Sequence, residues 1–142
     1  MSLSGPVEEF DGLLNRLENR EMIAFLKRYQ PSAHADIVDL LIKSAEGLSD
    51  IHFYCPDTDN HAYYIVHTSE GVMFAAAIGM SGLMYKLPEQ GIKDALVKGG
   101  EIIAELGESW VSFDPFWPEE NRENFSIKNM KHWCKLAFDA SK

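Results

Sequence analysis

The chain has few cysteines, a shortage of positive charge and no long apolar run, and each shortage excludes a class of protein. Its two cysteines, Cys55 and Cys134, match no disulfide-rich framework, so we expect two buried thiols in a reducing compartment. Thirteen Lys and Arg residues stand against 22 Asp and Glu residues, for a formal net charge of −9. A surface this acidic repels phosphate backbones, which argues against a nucleic-acid partner.

The apolar segments also argue against a membrane protein. They are far shorter than the ~20 residues that a membrane helix requires. The N-terminus has no basic region followed by an apolar run, so no signal peptide is expected. With 46% apolar and 25% charged residues in 142, the composition is typical of one globular domain spanning residues 1–142. We therefore expect a cytoplasmic protein with no membrane partner.

Helical spacing of apolar residues dominates the first 47 residues. Apolar positions recur every three or four residues from Pro6 to Leu17 and again from Met22 to Tyr29, where Pro31 ends the pattern. Ser32 offers an N-cap for a further amphipathic helix, which Gly47 terminates. These helices either cap a sheet or reach across to another subunit, and the sequence leaves both alternatives open.

From Asp50 onward, the spacing of apolar residues is that of strands and no longer that of helices. Five strand-like segments follow, and the run from Val72 to Ile78 is apolar on both faces, as in a central strand. A helix beginning near Pro88 precedes the last strand, and a closing helix follows it. The pattern predicts an α+β domain with a mostly antiparallel five-stranded sheet flanked by helices, formed by residues 50–142. The five segments are residues 51–55, 62–67, 72–78, 83–87 and 109–113.

A series of short motifs resembles a known family. They are Gly71-Val72-Met73-Phe74, Gly82-Leu83-Met84, Ala95-Leu96 with Gly99-Gly100, Leu106-Gly107, Trp110-Val111, Asp114-Pro115, and Trp133 with Ala137 and Ala140. In this order they resemble the TfoX N-terminal domain family, and more distantly YjbR-type domains, over roughly residues 71–140. The resemblance implies a secretion-chaperone-like α+β fold and a regulatory role in competence, without an established enzymatic reaction. The family's usual Arg-x-Met-Phe-Gly-Gly stretch is missing, since residues 59–66 read DNHAYYIV, so the competence role is not transferred.

Residues with catalytic or metal-binding chemistry are few and poorly spaced. His52 and Cys55 are three apart on a strand, which points them to opposite faces, while His61 and His67 are about 20 Å apart along an extended chain. His132 and Cys134 diverge on a helix. We therefore predict no metal, no cofactor and no catalytic residue. One local cluster of cations, formed by Lys128, Lys131, His132 and Lys135, shares a face of the closing helix.

Aromatic residues give the best candidates for a binding site. Phe116 and Trp117, held between two prolines, are predicted to form a rigid exposed patch for a peptide, a partner subunit or an apolar ligand. The predicted function is a non-enzymatic interaction or regulatory module. The alternative is a small-ligand-binding domain whose pocket lies between the sheet and the closing helix, lined by Tyr85, Trp110 and Trp133; a hydrolytic enzyme ranks third.

Overall fold

The computed structural model describes residues 16–29, 32–55, 63–79, 82–114 and 126–141. The α-helices in this part of the chain are α1 (Arg20–Tyr29), α2 (Ala35–Ser44), α3 (Glu89–Val97) and α4 (Ile127–Ala140). The strands are β1 (Ile51–Tyr54), β2 (Tyr64–Thr68), β3 (Met73–Ile78), β4 (Gly82–Lys86), β5 (Glu101–Ile102) and β6 (Trp110–Phe113). Two short 3-10 turns, Leu17–Asn19 and Ala104–Leu106, complete the described elements.

The strands form one antiparallel sheet in the order β1-β2-β3-β4-β6-β5. The predicted α+β class is confirmed, but the sheet has six strands where five were expected. The additional strand is β5, in which Glu101 pairs with Ser112 and Ile102 with Val111. Both residues of β5 are exposed. A strand of two residues is too short to show the alternation of apolar and polar residues that identifies strands, so the sequence carries no signal for it.

Helices cover both faces of the sheet. One face packs against α2, α3 and α4, and its core includes Phe74, Tyr85 and Phe113. The other face packs against α1 and the turn at Ala104–Leu106. All six residues of β3 are buried, which confirms the predicted central strand. The two described N-terminal helices therefore cap the sheet, one on each face.

A single buried side chain fixes the start of α1 to the sheet. The Asn19 Nδ2 atom donates to the Gly71 carbonyl oxygen at 2.7 Å, and Asn19 Oδ1 accepts from the Met73 N–H at 2.8 Å. The amide group thus pairs with the chain entering β3 as a neighbouring strand would. Since Asn19 is fully buried, these bonds replace water that the two backbone groups have lost.

The start of α2 differs from the expectation for Ser32. The N-cap is His34, whose Nδ1 atom accepts from the Asp36 N–H at 3.1 Å. Ser32 is two residues too early because its carbonyl oxygen accepts from the Gly79 N–H, while the His34 N–H donates to the Gly79 carbonyl oxygen at 2.9 Å. This short parallel bridge keeps residues 32–34 extended. Of the helix predicted from Pro6 to Leu17, only Arg16 and Leu17 are described: Arg16 is extended, and Leu17 begins a 3-10 turn.

No helix in the described segments is long and apolar enough to cross a membrane.

Candidate functional site

The cations of α4 line an open groove on the outside of the helix. The groove has a volume of about 600 Å³ and lies between α4 and the end of α3. The four residues expected to share this face do so, and Lys98, which follows α3, joins them. We call it the cationic groove; its lining residues are Lys98, Lys128, Asn129, Lys131, His132, Lys135, Leu136 and Asp139.

Three of the four groove lysines form ion pairs at the surface, while Lys128 has no acidic partner in the described part of the chain. Ion pairs this exposed contribute about 0–1 kcal/mol each. Their acidic members are therefore readily replaced by carboxylates from another molecule. The Nζ–carboxylate distances are 3.7 Å for Lys98–Asp94, 3.8 Å for Lys131–Glu46 and 3.2 Å for Lys135–Asp139.

A second, more enclosed space lies where the C-terminal end of α4 passes β3, β4 and the start of α3. Its volume is about 340 Å³. Its walls are mostly apolar, and a few polar groups stand at its rim. We call it the apolar cavity; it is lined by Glu18, Val72, Phe74, Lys86, Leu87, Pro88, Ala137, Ala140 and Ser141.

Of the two charged residues at the rim of the apolar cavity, Glu18 forms an ion pair and Lys86 donates to a backbone carbonyl oxygen. Lys86 Nζ donates to the Glu18 carbonyl oxygen at 2.8 Å. Glu18 Oε2 lies 3.0 Å from Arg16 Nη2. Its own backbone N–H, and then Arg16, hold the pKa of the exposed Glu18 carboxyl below its usual value, with Lys86 a weaker contributor. The Glu18 charge is thus already balanced by Arg16, while Lys86 forms no ion pair with a described carboxylate.

The aromatic residues expected to line one pocket lie on opposite faces of the sheet. Tyr85 and Trp133 are buried between the sheet and α4, whereas Trp110 is buried on the α1 face. The cause is the register of β4 and β6: Tyr85 pairs with Val111, and Trp110 pairs with Lys86. Neighbouring residues along a strand point to opposite faces. The three side chains are core residues and do not line the apolar cavity; Phe116 and Trp117 lie outside the described residues.

Tyr85 and Cys134 share a buried polar cluster with Ser44. The Tyr85 hydroxyl donates to Ser44 Oγ at 2.8 Å, and Ser44 Oγ donates to the Leu41 carbonyl oxygen at 2.8 Å. Burial raises the pKa of Cys134 to about 12, partly offset by its hydrogen bond with Ser44. The pKa of Tyr85 is raised well above its usual value, first by burial and then by Cys134. Both groups stay protonated at neutral pH, so they serve packing.

The histidines of β1 and β2 form a cross-strand pair. His52 pairs with His67, and their rings stack with centroids 5.4 Å apart. The Nδ1 atom of the buried His67 donates to the Thr68 carbonyl oxygen at 2.8 Å. Cys55 packs in the core on the α4 face, away from the His52 ring, as the strand spacing predicts. Within the described ranges, no three His, Cys, Asp or Glu residues are arranged to hold a metal ion; His61 lies outside them.

The comparisons with known proteins add no relative. No family model, curated protein or solved structure matches the chain.

Sequence reasoning found most of the cationic groove but not the apolar cavity. The groove cations recur on one helix, and only Lys98 required knowledge of how α3 packs on α4. The cavity unites Lys86 with Glu18, which is 68 residues distant in sequence. Such a contact has no local pattern, so nothing in the sequence indicated it.

Proposed function

We propose that the chain is a non-enzymatic interaction module that binds an acidic segment of a partner protein through the cationic groove. The observation that carries the proposal is the gathering of four lysines and one histidine along one groove of a chain with a formal net charge of −9. A cationic surface on an acidic protein steers an acidic segment to one place while the rest of the surface repels it.

The shape of the groove favours an extended segment over a small molecule. It runs along the exposed side of a 14-residue helix and opens broadly to solvent. Acidic side chains of a partner are able to exchange with the weak surface pairs of Lys98, Lys131 and Lys135, and Lys128 offers a further cation. The half-buried Leu136 supplies an apolar contact among these charges.

Two further observations support a role without catalysis. The thiol of Cys134, with its pKa raised to about 12, is protonated and buried, and so is unsuited to nucleophilic attack. The resemblance of residues 71–140 to the TfoX N-terminal domain family, for which no enzymatic reaction is established, agrees with this interpretation. Membership of that family, and a regulatory role, stay predictions.

The test measures binding of a fluorescein-labelled oligo-glutamate peptide by fluorescence anisotropy. The double variant Lys128→Glu/Lys131→Glu reverses two groove charges. The control Lys27→Glu/Lys93→Glu changes the net charge equally, at exposed positions of α1 and α3 that do not line the groove. We expect the groove variant to lose affinity by about tenfold or more, the control to bind nearly as the parent does, and affinity to fall as salt is raised.

Three outcomes would overturn the proposal. Equal losses in the two double variants would show that only net charge matters. Tighter binding of duplex DNA than of the peptide would assign the groove to nucleic acid. Assembly of the parent chain alone into dimers that Lys128→Glu/Lys131→Glu dissociates, measured by sedimentation, would make a second copy the occupant.

A further inference from the structure

We infer that the apolar cavity is a binding site for a small carboxylate with an apolar body, such as a medium-chain fatty acid. The inference concerns a different place from the cationic groove and does not depend on it. Three observations support it: the size of the cavity, its apolar walls, and a cation at its rim, Lys86, that forms no ion pair with a described carboxylate.

The size of the cavity suits a small molecule. Its volume of about 340 Å³ is at the lower end of the roughly 300–1,000 Å³ that small-ligand sites occupy. A folded protein segment requires a larger surface, since specific protein interfaces bury roughly 800 Å² on each partner. A compact ligand with an unbranched or singly branched chain is the occupant that fits.

The walls favour an apolar body. Phe74, Leu87 and Ala137 belong to the core of the α4 face, and Val72 is also buried. Each methylene group that leaves water for such surroundings adds to the affinity. Because these wall residues are already packed in the folded protein, the cavity requires little rearrangement to accept the apolar tail of a ligand.

Lys86, at the rim of the cavity, favours a ligand that carries an anionic group at one end of its hydrocarbon tail. Only one of the three N–H groups of Lys86 is engaged, by the Glu18 carbonyl oxygen, and Lys86 has no ion pair with a described carboxylate. The nearby Glu18 carboxylate is bound by Arg16. Helix α3 starts directly after Pro88, a lining residue, and no side chain among the described residues caps its first N–H groups. An uncapped helix start beside an ammonium group adds favourable potential for a carboxylate.

The experiment compares three ligands that share one chain and differ in their head group: octanoate, octan-1-ol and octylammonium. Binding to the full chain is followed by calorimetry and by methyl NMR signals of Val72, Leu87 and Ala137. We expect octanoate to bind and to shift these signals, octan-1-ol to bind about tenfold more weakly, and octylammonium not to bind. These comparisons use the unmodified protein, so they do not depend on a variant folding.

Two variants and one control locate the site. Lys86→Met should remove the preference for octanoate over octan-1-ol, and Ala140→Phe, at an exposed lining position, should block the binding of both. Lys93→Met removes a cation from the exposed face of α3 and should leave binding unchanged. Lys128→Glu/Lys131→Glu should also leave it unchanged, which separates this inference from the proposed function.

Any of three results would refute the inference: no shift of the cavity methyl signals with octanoate, equal affinity for octanoate and octan-1-ol, or octanoate binding that survives both Lys86→Met and Ala140→Phe.

Discussion

Replacing Asn19 with aspartate should make the stability of this protein depend on pH in a defined direction. The substitution keeps the shape of the side chain and its acceptor for the Met73 N–H, but it removes the donor to the Gly71 carbonyl oxygen 2.7 Å away. In the ionised variant, two oxygens face each other at a fully buried position. A protonated carboxyl group, in contrast, is able to donate to Gly71 as the amide does.

The magnitude follows from the groups left unpaired. A buried acceptor without a partner costs about 1–3 kcal/mol, and burial of the carboxylate adds to it, so we expect Asn19→Asp to lower the free energy of unfolding by about 2–4 kcal/mol at pH 8. The folded state favours the neutral acid, so the pKa of the new carboxyl is raised above its unfolded value of about 4. The penalty is therefore absent below that pH, grows by about 1.4 kcal/mol per pH unit above it, and levels off at the folded pKa.

Urea denaturation at several pH values between 5 and 8 measures this dependence as the difference between parent and variant. Gln90→Glu, which adds a carboxylate at an exposed position of α3, is the control and should change stability by no more than about 0.5 kcal/mol at any pH. A penalty for Asn19→Asp that stays constant with pH, or that grows on acidification, would show that the side chain does not hold the Gly71 carbonyl group.

Three further predictions concern the core. Ser44→Ala should cost about 1–3 kcal/mol because it leaves the Tyr85 hydroxyl without its acceptor, and adding Tyr85→Phe should recover much of that loss in urea denaturation. Cys134 should react with a thiol reagent at pH 8 only as fast as the protein unfolds. Burial raises the pKa of this thiol to about 12 in the folded state, so the free energy of unfolding should fall as pH rises above about 8.5, where the thiol ionises in the unfolded state. Gly100→Ala should lower the melting temperature through an overpacking cost of about 1–3 kcal/mol, because its Cβ would press on the Val111 side chain.

The sequence predicted those elements whose apolar residues repeat with a clear period. β3 was identified as a doubly covered strand because its apolar residues continue on both faces, and α4 because its apolar stripe recurs. The register between strands has no such signal. The expectation that Trp110 and Tyr85 line the same pocket was therefore wrong, because the face on which Trp110 lies depends on which residue of β6 pairs with which residue of β4.

The cationic groove and the apolar cavity also differ in how far the sequence predicts them. The cationic groove is largely the property of one helix, so the periodicity of α4 predicted most of it. The apolar cavity requires the 3-10 turn at Leu17–Asn19, two strands and two helices to meet, and such a site depends on the tertiary structure alone. The periodicity of one helix therefore predicts a surface that this helix forms alone, but it does not predict a cavity that several elements form together.

The lengths of the two outermost strands have a consequence for solution behaviour. β5 has two residues and β1 has four, so in the described part of the chain each edge of the sheet presents little backbone to which a strand of another molecule can add. β5 also begins with an exposed Glu101, whose charge opposes close approach of a like edge. The apolar strands in the middle are thus shielded from edge-to-edge growth. Even at high concentration we expect this protein to resist fibril formation for as long as it stays folded.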